Sequence, residues 1–215
     1  MNGTLRTFRR AVLVCGMFAG AALAQDTAAP PVAPTAPTLA PAMADVVMHT
    51  SLGDIRVAIE VERAPITAKN FLRYVDLKRF DGVNFYRAVK LDDEGKYGLV
   101  QGGVRSMPKL VLNAIAHEPP AVTGLSHLDG AISMAHGGPG SARGDFFIVV
   151  GDLVSLDGKG TPADPGYAVF GRVTEGMDIV RNIMGMPRSE DVGDGSMKGQ
   201  MLASPVKILS VRRDN

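Results

Sequence analysis

Residues 51–75, SLGDIRVAIEVERAPITAKNFLRYV, change hydrophobic period part-way along, and that change decides the class of fold. Ile55, Val57, Ile59 and Val61 alternate with Asp54, Arg56, Ala58 and Glu60, the period of two that a half-buried strand requires. Ser51 to Asp54 supply the turn before it. Pro65 then stands where the first helical turn tolerates a missing N–H. Ala68, Phe71, Leu72 and Val75 follow at helical spacing, with Lys69, Asn70 and Arg73 directed outward.

Downstream, short apolar runs punctuated by Gly and Pro read as strands at Val83 to Val89, Leu99 to Val100, Ala131 to Met134, Phe146 to Val150 and Val169 to Val173. Glu175 to Met184 returns to helical spacing through Met177, Val180 and Met184, and Val206 and Ile208 resume strand alternation. This order excludes a βαβ sheet and fits a mainly β fold. Many short strands with a helix near each end predict an antiparallel barrel plugged by helices, because closure removes exposed sheet edges. Residues 45–215 are expected to form that domain.

Upstream of it, Arg6, Arg9 and Arg10 form a basic segment, Ala11 to Ala22 an apolar one, and Ala22-Leu23-Ala24 a small-residue cleavage site. Residues 1–24 are therefore expected to be a cleavable signal peptide, with no stable membrane insertion after cleavage. Residues 25–44 carry Pro30, Pro31, Pro34, Pro37 and Pro41 among Ala and Thr, the composition of a disordered linker. The single cysteine, Cys15, lies in the segment to be removed, so no disulfide is expected. Apolar residues make up 46% of the chain, enough for a sizeable core, and a net charge of +1 gives no basic block to track a nucleic acid. A monomer is the expectation.

Phe85-Tyr86-Arg87, Gln101-Gly102-Gly103, Ser133-Met134-Ala135, Phe146-Phe147-Ile148, Leu156-Asp157-Gly158 and Tyr167-Ala168-Val169-Phe170-Gly171 occur in that order. In this set the chain resembles the cyclophilin-type peptidyl-prolyl cis/trans isomerases over nearly all of Val46 to Val211, with Tyr-Ala-Val-Phe-Gly and Pro205 to Leu209 similar to the bacterial branch. The resemblance implies a closed eight-stranded antiparallel β-barrel capped by two α-helices, with a proline groove on its outer face. It implies Arg87, Gln101 and Phe147 as catalytic residues, and Leu99, Ala135, His136, Asp145, Leu156 and Tyr167 as substrate-binding ones. It also implies proline-containing polypeptides as substrates and neither metal nor cofactor. With the signal peptide, it points to folding assistance in the periplasm. A non-catalytic peptide-binding module or chaperone of the same fold is the alternative.

The chemistry suits those residues. Rotation about a peptide bond meets a barrier of about 18–20 kcal/mol because the nitrogen lone pair is delocalised. A guanidinium that bonds the lone pair only once it localises binds the transition state in preference to the ground state. Three positions depart from the family pattern. Gly98 replaces a phenylalanine, which is expected to open one wall of the proline cup, with Tyr97 the aromatic available to cover it. Asp145 replaces a glutamine and is expected to compete for Arg87. Ser155 replaces an aromatic residue, which implies weak cyclosporin binding.

Overall fold

A computed structural model describes residues 42–214; the expected signal peptide and most of the expected linker lie outside the described residues. Strands β1 (Met43–Thr50) and β2 (Gly53–Glu60) form a hairpin, followed by helix α1 (Pro65–Asp76). Strands β3 (Asn84–Lys90) and β4 (Gly98–Gly103) form a second hairpin, and a one-turn helix α2 (Pro120–Thr123) follows. Then come β5 (Ala131–Met134), β6 (Phe146–Val150), β7 (Ala168–Glu175), α3 (Met177–Gly185), a two-residue β8 (Arg188–Ser189) and β9 (Met201–Arg213).

The strands pair in the order β1-β2-β7-β5-β6-β4-β3-β9, and β9 returns to pair with β1. That pairing closes an eight-stranded barrel in which every pair is antiparallel, and β8 adds only a short flap on β9. The expected barrel is therefore present. β1 was not anticipated, and it begins at Met43, inside the span expected to be linker.

One mouth of the barrel is filled from α1, where Phe71 meets Phe80, Phe146 and Phe170 with ring centroids 5.0–5.6 Å apart. The other is stopped by α3, whose Val180, Ile183 and Met184 are buried. α1 lacks a side-chain cap of its own; Glu118, far along the chain, accepts hydrogen bonds from the Ile66 and Thr67 amides and the Thr67 hydroxyl. Asn70, expected outward, is buried because its amide donates to the Arg143 carbonyl at 2.6 Å, tying α1 to the segment before β6. Glu60 is likewise buried, with the Arg63 guanidinium as its partner.

Candidate active site

On a plain strand Tyr86 and Arg87 would point to opposite faces. Here the β3–β4 register shifts between Phe85, which faces Gly102, and Arg87, which faces Gln101. The extra residue is Tyr86, so β3 carries a bulge, the device by which a sheet re-aims a side chain. Gly102 permits it: a Cβ there would lie 2.9 Å from the Phe85 ring and 3.0 Å from the Asn84 carbonyl oxygen.

Both re-aimed side chains engage Gln101. Arg87 Nη1 donates to Gln101 Oε1 at 2.6 Å, and Gln101 Nε2 donates to Tyr86 Oη at 2.9 Å. The Tyr86 hydroxyl in turn donates to Asp145 Oδ1 at 3.2 Å. Burial, reinforced by the Asp145 carboxylate, pushes the Tyr86 phenol far up, so the proton stays on Tyr86 and the direction of the chain is fixed. Arg87, half-buried, has its guanidinium pulled down by desolvation but remains a cation. The relay thus runs from cation to carboxylate through two neutral groups.

The expected competition of Asp145 for Arg87 is not what the structure shows. Asp145 is satisfied by Tyr86 and by the Arg105 amide at 3.0 Å, and it ends the relay without pairing with the guanidinium. Burial pushes its carboxyl up.

Arg87, Gln101 and Asp145 lie along a groove of about 580 Å³ that Phe147, Leu99, Ala135, His136, Leu156 and Tyr167 also line. All nine residues expected at the site therefore meet there. Phe147 is buried, while Phe146, its neighbour on β6, belongs to the barrel core. A parallel His127 ring holds Phe147 from one side, with centroids 5.8 Å apart, and Tyr167 meets it edge-on at 5.4 Å. His136 stacks on Tyr167 at 4.6 Å. His127 is wholly buried, its Nδ1 2.5 Å from Asp157 Oδ1 and its Nε2 3.0 Å from Ser133 Oγ.

The model of the family described as cyclophilin type peptidyl-prolyl cis-trans isomerase matches residues 45–213. The chain belongs to this family. As a cyclophilin it is a peptidyl-prolyl cis-trans isomerase, an enzyme. It is 36% identical over 166 residues to a peptidyl-prolyl cis-trans isomerase of Acinetobacter baylyi, spanning 77% of this chain and 82% of that one. It is 36% identical over 175 residues to the cyp18 isomerase of Streptomyces antibioticus, spanning 79% of this chain and 98% of the relative. A crystal structure of a Cryptosporidium parvum cyclophilin superposes with a TM-score of 0.60 at 19% identity, covering 81% of this chain and 99% of that one, a likeness of fold.

This cyclophilin departs from its sequence reading at the cup wall. Gly98 points away from the groove: a Cβ would lie 2.1 Å from the Val89 carbonyl oxygen and 2.6 Å from Met184 Sδ. A phenylalanine has no room there. Tyr97 does not replace it either, since its ring lies over Gly151, where a Cβ would come within 2.6 Å of it. Val89 and the exposed Leu91 line that side instead. Sequence reasoning also missed Gln200, whose Oε1 accepts from Arg87 Nε at 2.9 Å and from Nη2 at 2.6 Å. It sits in no recognisable motif, and only the strand pairing brings it to Arg87.

Proposed function

We propose that this cyclophilin acts in the periplasm on Xaa-Pro bonds of exported, incompletely folded proteins, as a member of the bacterial exported branch. Arg87 is the catalytic cation of this reading. Its three bonds to Gln101 and Gln200 use three of the five N–H donors of a guanidinium and leave two for substrate. A planar amide nitrogen is a poor acceptor, whereas a twisted one has a localised lone pair, so those donors gain a partner only during rotation. The proline ring sits on Phe147, walled by Leu99, Leu156 and Tyr167, which holds it still while the preceding carbonyl turns. Gln101, Ala135, His136 and Asp145 offer polar contacts along the peptide.

The observation that carries the reading is the placing of Arg87 and Phe147 on one groove, the first held by glutamines and the second by aromatic packing. The N-terminal segment, Arg6 to Ala24, supports the exported setting. Two measurements test it. In cells, the mature protein is expected in the periplasmic fraction with Gln25 as its first residue; a cytoplasmic full-length chain contradicts export. In vitro, substoichiometric enzyme is expected to shorten the proline-limited refolding phase of an exported protein, and an unchanged phase contradicts the client class.

A further inference from the structure

The segment between β8 and β9 reaches the groove, which Ser196 and Met197 line together with Arg87 and Leu91. It is held there by backbone pairing: β8 joins the start of β9 through Arg188 and Ser189, Met201 is the register partner of Arg87, and the Ala88 amide donates to the Gln200 carbonyl at 3.0 Å. The β3–β9 register then slips by several residues between Met201 and Val206, so Gln200 is delivered to Arg87 by a break in the sheet. These backbone bonds leave the Gln200 side chain free for another task.

We propose that Gln200 is a positioning residue for isomerisation, the outer half of a two-sided clamp on Arg87. Gln101 Oε1 holds Nη1, and Gln200 Oε1 holds Nε and Nη2 together, so the guanidinium is gripped at both ends of its plane. One contact leaves a guanidinium free to swing about the last side-chain torsion; two on opposite sides fix the plane and aim the remaining donors. An arginine carries about 2 kcal/mol of rotamer entropy, and a donor fixed before the reaction needs no reorganisation as the transition state forms. The inference rests on Arg87 being the catalytic cation.

The test compares Gln200→Met, which keeps length and removes the acceptor, with Gln200→Glu, which keeps it, alongside Arg87→Ala. Steady-state kinetics on a proline tetrapeptide and hydrogen exchange of the Arg87 Nε–H by NMR are the readouts, with circular dichroism as the check on folding. Gln200→Met is expected to lower kcat about tenfold, with KM within about twofold and loss of Nε–H protection. Gln200→Glu is expected to stay within about threefold of the unsubstituted enzyme, with the Nε–H protected. Unchanged kcat in Gln200→Met, with Arg87→Ala inactive, overturns the clamp and leaves the role of Arg87 standing. Equal losses in both Gln200 variants with the Nε–H still protected also overturn it, since the segment would then act only structurally. Full activity in Arg87→Ala removes the reading beneath it.

Discussion

Tyr86 and Arg87, consecutive on one strand, both bond the side chain of Gln101, one as acceptor and the other as donor. A bulge makes that possible, and the Tyr86 hydroxyl then hands the chain on to Asp145. The guanidinium is therefore oriented by groups that are themselves oriented, as precise placement of a catalytic group requires.

Tyr86→Phe removes the middle of this relay. Gln101 Nε2 loses its acceptor in a buried setting, and its amide is then free to turn its oxygen away from Arg87. Activity on a proline tetrapeptide is expected to fall about tenfold, in kcat more than in KM. A variant with full kcat would show that Gln101 is fixed by other means.

Asp145 carries a cost in stability. Its folded pKa is raised, chiefly by burial, so its protonated form is favoured on folding and its unfavourable term appears as pH rises through that value. Asp145→Asn keeps an oxygen for Tyr86 and Arg105 while removing the charge. Tm at pH 7 is expected to rise by about 2–4 °C, a gain of about 1 kcal/mol, and at pH 3 the gain should vanish. A lower Tm at pH 7 would mean that the carboxylate is needed.

The opposite sign applies to one buried histidine, His127, and two half-buried ones, His117 and His136. His127 is held below its ordinary value by burial, against the pull of Asp157, and His117 and His136 are also lowered by burial. The unfolded chain therefore binds more protons than the folded one just below about pH 6.5, and stability falls as pH drops through that window. Asp157, whose pKa is lowered by its bonds to Ser126 and His127 despite burial, adds its own loss only at more acid pH. Thermal scans from pH 7.5 to 5.5 should show a falling Tm, and His127→Gln should flatten the fall. An identical pH dependence in the variant would exclude His127 as a source.

Gly98→Phe restores the residue the family pattern has at that place, yet it should destabilise the barrel without improving the groove. Even Gly98→Ala meets the Val89 carbonyl oxygen and Met184 and should cost about 1–3 kcal/mol. Urea titration reads this directly; a fully stable Gly98→Phe would mean that β3, β4 and α3 separate more readily than their packing indicates.

Much of this was legible beforehand because periodicity and motif order are local properties. The alternation at Ile55 to Ile59 and the apolar face from Ala68 to Val75 named β2 and α1, and the resemblance carried by the ordered motifs named nine groove residues, six of them inside the motifs, that the fold brings together. β1 was missed because MADVVMHT follows a proline-rich stretch and alternates poorly. Asn70 was misplaced because its partner, the Arg143 carbonyl, is distant in sequence. The same reason hid Gln200, and it explains the misreading of Asp145: charge type was visible, but its neighbours Tyr86 and Arg105 were not.

The central claim is that Arg87 bonds the prolyl nitrogen only while the bond turns, and NMR exchange on a proline tetrapeptide measures this most directly. Arg87→Ala, and to a lesser degree Arg87→Lys, should slow enzyme-bound cis/trans exchange by at least about 100-fold and about tenfold, with peptide affinity changed by less than about threefold. Exchange in Arg87→Ala as fast as in the unsubstituted enzyme, with the fold intact, would contradict the account.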